Sequence, residues 1–258
     1  MNRYAELQVT SQFSFLRGAS SAQELFATAA LMGIEALAVT DRNSLAGIVR
    51  AHEAAKATGV RLIVGCRLDL ACGMAVLVYP TDRAAYARLC RLLSLGKGRA
   101  GKGKCDLGWD DLVAYGEGQI AVLVPDLADD TCGLQLRRLQ GAFGDRAYLV
   151  LTLRRRPNDQ LRLHDLSNLA AQVGVATVVT NDVLYHEPGR RILQDVVTAI
   201  RHNVTVEELG LRRERHADRY LKPPAEMARL FARYPEALAR TLEIADRCRF
   251  SLDELAYQ

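Results

Sequence analysis

Short apolar runs alternate with amphipathic helical stretches along most of the chain, and this alternation constrains the fold more than any other feature. Runs with strand character lie at 5–9, 35–40, 61–65 with its continuation RLDL, 74–79, 119–124, 147–153 and 175–180. Strands separated by helices typically form a largely parallel sheet covered by helices. About seven such βα units exceed the needs of a small open sheet and predict a closed or nearly closed barrel. Functional groups are then expected where strands end and loops begin.

The predicted helices have recognisable ends. Ser21 followed by Glu24 is a capping-box pattern, and Gly33 follows the last helical residue of that segment. The next helix is predicted to start at Ser44 and to stop at Gly59. Further helices are expected at 81–95, 128–142, 157–173 and 187–200.

After about residue 203 the chain changes character. The segments LKPPAEMARLF at 221–231 and YPEALARTLEIADRC are helical throughout, with prolines at their starts. We therefore expect a barrel over 1–202 and a helical C-terminal appendage over 203–258. The chain stops at SLDELAYQ without a distinct terminal cap, which is typical of a fragment of a longer protein.

Composition excludes several classes of protein. With 258 residues, 49% hydrophobic and 25% charged, the chain has the make-up of a soluble globular domain. It has no apolar run long enough to span a bilayer and no signal-peptide pattern, so we expect a cytoplasmic protein without a membrane partner. The six cysteines form no CxxC pair, which argues against a zinc ribbon and a disulfide framework and favours packing residues and free thiols.

The segment GKGRAGK at 96–102 resembles the start of a phosphate-binding P-loop. The match ends at Gly103, where a magnesium-binding Ser or Thr is required, and the segment follows a helical pattern instead of a strand. We therefore interpret Gly96–Lys104 as a flexible basic surface loop. It is either an ordinary solvated surface or a contact for DNA or an acidic partner, made by Lys97, Arg99, Lys102 and Lys104.

Histidines give little support for a metal site. The five histidines form no HxH or HExxH pair, and no local pattern indicates a Ser-His-Asp or Cys-His arrangement. His186, in TNDVLYHEP, shares strand parity with Asp182. This pair is either a hydrogen-bonding couple or the centre of an unorthodox metal site.

Six ordered segments together resemble the N-terminal PHP (polymerase and histidinol phosphatase) domain of bacterial C-family DNA polymerases. They are YAELQVTSQFSFLRGAS, ALAVTDRNSLAGIVRAHEAAK, LIVGCRL, LCRLLSLGKGRAGKGKC, TNDVLYHEP and RYLKPPAEMARLF. Within that family the chain is most similar to the error-prone, damage-inducible branch, which works with a mutagenesis cassette in translesion synthesis and DNA repair. The resemblance implies a distorted (β/α)7 barrel, with a nucleotidyltransferase active site beyond Gln258.

In metal-binding members of the PHP family, histidines and acidic residues at the barrel mouth bind two or three metal ions for phosphoester hydrolysis. The resemblance implies that the first-strand HxH corresponds to Gln8 and Thr10, and the acidic residue of the following loop to Arg17. By the same resemblance, the histidine of TDH corresponds to Arg42 and the glutamate after the third strand to Arg67. The final DxH corresponds to Asp182 and Leu184. Only Asp182 keeps a ligand type, so the family's metal site is expected to be dismantled, with no cofactor in this part of the protein.

The arginines add an electrostatic argument. A guanidinium about 5 Å from a divalent ion costs roughly 6 to 7 kcal/mol at an effective dielectric constant near 20. We therefore expect Arg17, Arg42 and Arg67 to exclude a metal and to pair with Asp182 and Asp41 instead.

Three functions remain to be compared. The first is a non-catalytic structural and interaction module of an error-prone polymerase, with the polymerase core, DNA, mutagenesis accessory proteins and the sliding clamp as partners. The second is a metal-dependent phosphoesterase or proofreading exonuclease around Asp182 and His186. The third, a standalone nucleic-acid-binding protein, depends on the basic segments alone. Metal hydrolysis needs several placed donors, and their scarcity favours the first function.

Overall fold

The strands form two sheets in the computed structural model, which describes residues 3–255. The first sheet has the order β1 (Ala5–Val9), β2 (Ala36–Val39), β3 (Arg61–Val64). The second has the order β4 (Cys66–Asp69), β5 (Ala75–Pro80), β6 (Gln119–Leu123), β7 (Ala147–Leu151), β8 (Ala176–Val179). Every predicted strand is therefore present, and the fold is a mixed α/β structure.

The strand directions differ in part from the expectation. Strands β1–β2–β3 and β6–β7–β8 are parallel, as predicted, but β4–β5 and β5–β6 are antiparallel. The reason is local: β4 returns directly into β5 through a tight turn closed by a hydrogen bond from Gly73 N to Leu70 O, with no helix between them. The described residues thus form two sheets and not one continuous closed barrel. A single bridge between Val9 and Val183 joins β1 to the segment after β8.

Nine α-helices connect and cover the strands in the part of the chain that the structure describes. They are α1 (Ala22–Met32), α2 (Ile48–Thr58), α3 (Arg83–Arg99), α4 (Trp109–Ala114), α5 (Asp130–Phe143), α6 (Asp159–Val173), α7 (Arg191–His202), α8 (Pro224–Leu230) and α9 (Pro235–Arg247). The capping box at Ser21 is confirmed, since its side chain accepts from Glu24 N and the Glu24 carboxylate accepts from Ser21 N. Gly33 and Gly59 end α1 and α2 in the left-handed conformation, as predicted. The longest of these helices, α3, does not have the length and apolarity of a membrane span.

Three helix ends differ by four residues from the prediction; one is the start of α7, which lies at Arg191, after the 3-10 turn Pro188–Arg190, and not at 187. Helix α2 begins at Ile48 and not at Ser44, whose hydroxyl instead accepts from Ala46 N in a turn. Helix α3 continues through Gly96 to Arg99, so the basic segment is helical over its first four residues. Gly96 does not end the helix; it allows close packing, because a Cβ there would lie 2.6 Å from Leu107 Cγ.

One buried apolar cluster is shared by both sheets and by the C-terminal helix α9. It includes Leu7 of β1, Ile63 of β3, Leu77 of β5 and Val178 of β8 together with Ile244 of α9. A second cluster lies between the strands and the surrounding helices. The segment after residue 203 contains 3-10 turns and α8 and α9, and α9 packs on β1 and β8. The boundary between 1–202 and 203–258 stays a prediction, and residues 1–2 and 256–258 of those two parts lie outside the described residues.

Candidate functional site

A polar cavity of about 170 Å³ lies where β1, β2 and β8 end. It is lined by six of the seven positions that the sequence singled out: Thr10, Arg17, Arg42, Arg67, Asp182 and Leu184. The seventh, Gln8, is buried on β1 and donates from Nε2 to Asp182 Oδ1 at 2.8 Å. The carboxyl ends of parallel strands meet at one edge of a sheet, which explains why residues so distant in sequence converge here.

The loop after β1 places Arg17 at this cavity. Ser14 N donates to Ser11 O, and Arg17 N donates to Ser14 O, so the loop folds back on itself. Gly18 is required at its return, because a Cβ there would lie 2.3 Å from Ser11 O. Leu16 has a φ of +55°, a region that costs a branched side chain free energy. These contacts fix the conformation of the loop and hold Arg17 in place.

Asp182 is the anionic centre of the cavity. Its Oδ2 lies 2.5 Å from Arg219 NH2, and Arg219 Nε also donates to Asp182 O at 2.9 Å. Burial alone would raise the pKa of Asp182, but the positive charges of Arg219, Arg67 and Arg154 outweigh it and hold the pKa below its usual value. Asp182 also has a positive φ of 49°. It is thus a carboxylate fixed by charge and by backbone.

The expected ion pair of Asp182 with Arg17, Arg42 or Arg67 is therefore wrong. Within residues 3–255 the ion-pair partner of Asp182 is Arg219 alone. Arg219 reaches the site because the segment that contains it pairs with the chain after β8: Leu184 N donates to Arg219 O at 2.9 Å. Arg219 also binds Glu214 at 2.8 Å, so one guanidinium serves two carboxylates.

Arg42 and Arg67 share a different carboxylate. Arg42 NH1 lies 2.5 Å from Asp69 Oδ2, and Arg67 Nε lies 2.9 Å from Asp69 Oδ1. Burial, and then the neighbouring Arg67, lower the pKa of Arg42 to about 10. Burial would raise the pKa of Asp69, yet the two guanidiniums lower it. Asp69, on β4, was not among the residues that the sequence singled out.

Asp41 lies beside this cluster and has no arginine partner among residues 3–255. Its carboxylate accepts from Ser11 N and Ser11 Oγ, both at 2.7 Å. Burial raises the pKa of Asp41 to about 6, against the opposing effect of the Ser11 hydrogen bonds. The expected pairing of Asp41 with an arginine is also wrong, because Arg42 points to Asp69.

Glu6 is a second buried carboxylate near the strand ends. It accepts from Tyr4 OH at 2.7 Å, from Gln8 N at 2.9 Å and from Asn181 N at 3.1 Å. Burial raises the pKa of Glu6 to about 7, although these hydrogen bonds oppose the rise. Glu6 thus ties β1 to the segment that leads to Asp182.

The donor set does not fit a divalent metal ion. Asp182 and Glu214 are the carboxylates that line the cavity, and both are bound to Arg219. Over residues 3–255, no three His, Cys, Asp or Glu side chains are grouped so that they could hold a metal ion. A metal placed here would face guanidinium groups where ligands are needed.

His186 takes no part in this cavity. Its Nδ1 lies 2.8 Å from Ser20 Oγ, and its Nε2 lies 3.8 Å from Glu187. Neither reading of the Asp182–His186 pair is supported, because the described hydrogen bonds of His186 go to Ser20 and not to Asp182. Ser20 instead fixes the start of α1 against the chain after β8.

The predicted basic contact residues lie at a separate groove of about 440 Å³. Lys97, Lys102 and Lys104 line it together with Phe13 and Phe15, and Phe15 is 82% exposed. Arg99 points elsewhere, with NH1 at 2.6 Å from Asp111 Oδ2. The aromatic pair was missed from the sequence, although two phenylalanines in the polar loop QFSFLRG were the available signal.

Sequence reasoning also missed six lining residues of the cavity, among them Gln194, Arg201, Arg212 and Arg219. The first three lie on α7 and on the 3-10 turn Glu207–Arg212, and Arg219 follows that turn. No local pattern marks them as members of a site that begins at Thr10. The only signal was the density of arginines between 190 and 219.

Comparisons with known proteins agree on the type of domain. The profile of the PHP domain family matches residues 6–151. Error-prone DNA polymerase 1 of Agrobacterium fabrum is 72% identical over 256 residues, which cover 99% of this chain and 24% of that protein. The error-prone DNA polymerase of Caulobacter vibrioides is 47% identical over 257 residues, again 99% of this chain and 24% of that protein. The chain thus spans about a quarter of the length of these curated relatives.

A solved structure supports the same type of fold. An amidohydrolase from Chromobacterium violaceum, described with bound sulfate and no metal, superposes with a TM-score of 0.56 at 17% identity. The match covers 70% of this chain and 87% of that one.

Proposed function

Because this chain belongs to the PHP domain family, we propose that it is the N-terminal structural and interaction module of an error-prone DNA polymerase and is not itself a phosphoesterase. The whole polymerase would be a DNA-directed nucleotidyltransferase that acts in translesion synthesis and DNA repair in the cytoplasm. The basis for this is the 70–72% identity to one end of such polymerases. The module would work without a metal or other cofactor.

The two sheets would be two arcs of one distorted (β/α)7 barrel. Two observations support this. Both sheets contribute side chains to one buried cluster, which α9 closes at one end. The bridge between Val9 and Val183 brings the first sheet against the end of the second, while Gly65 alone separates β3 from β4. The arrangement would therefore be circular, with antiparallel pairs where a regular barrel has parallel ones.

One observation underlies the non-catalytic role: both carboxylates of the cavity are bound to Arg219. Phosphoester hydrolysis of the family type needs a metal held by free oxygen and nitrogen donors. We expect the purified chain to release no phosphate from a phosphomonoester, with or without added manganese or zinc. The control is Asp182→Asn, which removes the only retained ligand type. Metal-dependent hydrolysis that Asp182→Asn abolishes would contradict the proposal.

The groove at Lys97, Lys102 and Lys104 would contact single-stranded DNA. Cations that follow the backbone, with exposed aromatic rings for base stacking, are the usual combination for such contacts. Phe15 and Phe13 supply the rings here. The P-loop-like segment would thus contact the backbone phosphates of DNA and would not hydrolyse a nucleotide.

Salt dependence of DNA binding tests this contact. Each lost phosphate contact reduces the magnitude of the negative slope of log K against log salt by about 0.7 for single strands. Replacing the three lysines with alanine should therefore reduce that magnitude by about 2. The matched control replaces the exposed Arg83, Arg91 and Arg137, which lie outside the groove. Equal slopes of log K against log salt for the lysine and the arginine triple variants would exclude the groove as the DNA contact.

The polymerase core of the same protein would pack on α7. Ile192, Val196 and Ile200 form an exposed apolar stripe on this helix, with Ile192 74% exposed. We expect Ile192→Asp to leave the stability of this chain unchanged and to weaken its association with the core supplied separately. Leu161→Asp, at an exposed site on α6, is the matched control. Mutagenesis accessory proteins and the sliding clamp are proposed as partners of the whole polymerase, on the basis of the resemblance to the error-prone branch of the family.

A further inference from the structure

The cavity at the strand ends has an excess of positive charge. Six arginine side chains line it: Arg17, Arg42, Arg67, Arg201, Arg212 and Arg219. Asp182 and Glu214 neutralise Arg219, and the Asp69 carboxylate forms ion pairs with both Arg42 and Arg67. Within residues 3–255, Arg17, Arg201 and Arg212 have no carboxylate within 4.0 Å. Six cations thus face three carboxylates around one small cavity.

The unpaired arginines repel one another. Burial, and then the charge of Arg201, lower the pKa of Arg17. Burial, and then the charge of Arg42, lower the pKa of Arg201. Arg201 is held in place nonetheless, because its NH1 donates to Leu16 O at 2.9 Å, next to Arg17. Like charges held together in a partly enclosed space are stabilised most by a bound anion.

A buried amide supplies a second, independent observation. Gln194 is 3% exposed and lines the same cavity, and its Oε1 has no hydrogen-bond partner in the part of the chain that the structure describes. Buried side-chain amides nearly always have partners, so an unpartnered one beside a cavity indicates a missing ligand. An oxygen acceptor of this kind requires a donor on that ligand. Monohydrogen phosphate has both the negative charge that the arginines need and an O–H that can donate to Gln194.

The size of the cavity agrees with a small tetrahedral anion. Its volume of about 170 Å³ lies below the roughly 300 Å³ at which pockets for drug-sized ligands begin. Guanidinium groups bind phosphate oxygens through paired N–H donors, which makes arginine the preferred side chain for this ligand.

We propose that this cavity is a phosphate-binding site, in which Arg17, Arg201 and the Gln194 amide bind a phosphate group at the place of the family's metals. The site takes either inorganic phosphate or the terminal phosphate of a nucleotide. It rests on the proposed function, since a metal-free cavity is required for the arginines to act as the binding groups.

Isothermal titration calorimetry of the protein with sodium phosphate at constant ionic strength tests the proposal. We expect saturable binding, at least about tenfold weaker in the Arg17→Gln/Arg201→Gln double variant, a loss of about 1.4 kcal/mol. Arg91→Gln, at an exposed site on α3, should bind as the unchanged protein does. Arg17→Lys, which keeps the charge but loses the paired donors, should give an intermediate affinity.

Sulfate and Gln194 sharpen the test. Sulfate has no proton to donate at neutral pH, so it should bind more weakly than phosphate, and Gln194→Leu should remove that preference. A deoxynucleoside monophosphate that competes with phosphate identifies terminal phosphates as ligands; competition by inorganic phosphate alone identifies the free anion. Thermal unfolding of each variant verifies that it is folded.

Two results overturn the proposal. One is the absence of saturable phosphate binding by metal-free protein, and the other is equal affinity in the Arg17→Gln/Arg201→Gln variant. Metal analysis of the same sample separates the two levels of the account. Stoichiometric bound metal would contradict the proposed function, whereas metal-free protein that does not bind phosphate would contradict this inference alone.

Discussion

Two buried aspartates, in the segments that follow β2 and β8, have opposite electrostatic environments. Asp182, after β8, is bound to Arg219, and its pKa is lowered by that charge against the effect of burial. The carboxylate of Asp41, after β2, accepts from Ser11 N and Ser11 Oγ, and burial raises its pKa to about 6. Both lie in a cluster that is rich in arginine. The difference teaches that proximity to a cation in sequence does not decide pairing: Arg42 follows Asp41 directly, yet it binds Asp69.

The two environments neutralise a buried carboxylate in different ways. At Asp182 a guanidinium compensates the charge and holds the pKa of the carboxyl below its usual value, against the effect of burial. At Asp41 and at Glu6 proton uptake compensates it in the neutral range. A metal ion would be a third way, and we propose that the arginine cluster replaces it.

The largest expected effect follows from breaking the arginine-paired site. Asp182→Ala leaves Arg219 with Glu214 alone and removes the acceptor of Gln8. Removing one partner of a buried ion pair typically costs 3 to 5 kcal/mol; because Glu214 remains, we expect about 3 kcal/mol in the free energy of unfolding. Urea unfolding measures it. Asp145→Ala, which breaks an exposed pair with Arg247, should cost below about 1 kcal/mol, and equal losses in the two variants would mean that the cavity is solvated.

The second effect distinguishes Asp41 by its pH dependence. The folded-state pKa of about 6 lies above the ordinary value of 3.8. Between these values the folded protein binds more protons than the unfolded chain, so stability falls as pH rises through about 6. Since one pKa unit corresponds to about 1.4 kcal/mol, a rise from 3.8 to about 6 makes the loss through Asp41 on the order of 3 kcal/mol. Glu6 acts in the same direction, with its loss completed near pH 7.

The variant Asp41→Asn isolates this contribution. It keeps an acceptor for Ser11 and cannot ionise, so the decline in stability between about pH 4 and pH 7 should become smaller by most of that amount. The free energy of unfolding at several pH values, for this variant and the unchanged protein, measures it. An unchanged slope would place the titration elsewhere.

The smallest effect belongs to the shared carboxylate on β4. Asp69→Asn leaves Arg42 and Arg67 without an anion, but its side chain is 34% exposed and water screens the two cations. We expect a loss of about 1 kcal/mol, the upper range for exposed pairs. The loss should grow at low salt, because screening weakens there. A loss as large as that of Asp182→Ala would show that this pair is as enclosed as the Arg219 pair.

Local patterns predicted the elements well. The Ser21–Glu24 capping box and the glycines after α1 and α2 are set by neighbours in sequence, which is why they could be identified. The antiparallel direction of β4 and β5 could not be predicted in this way, because the alternation of apolar residues is the same in parallel and antiparallel strands. The extension of α3 through Gly96 depends on its contact with Leu107, which is again a tertiary feature.

The candidate site was predictable only in part. Strand ends and the family pattern placed Thr10, Arg42 and Asp182 correctly at one cavity. The partner Arg219 was missed because it reaches the cavity through a backbone bridge between Tyr185 and Tyr220, in a segment without periodicity. Charge complementarity predicted that Asp182 has an arginine, but only the tertiary structure selects which one.

Metal content is the measurement that tests the central claim most directly. The protein is purified without chelators, incubated with manganese or zinc, freed of unbound metal and analysed for the elements, with Asp182→Asn as the matched control. The account predicts that neither protein retains a stoichiometric metal ion, because guanidiniums occupy the place of the ligands. Retention of one or more ions per chain by the unchanged protein, lost in Asp182→Asn, would contradict it.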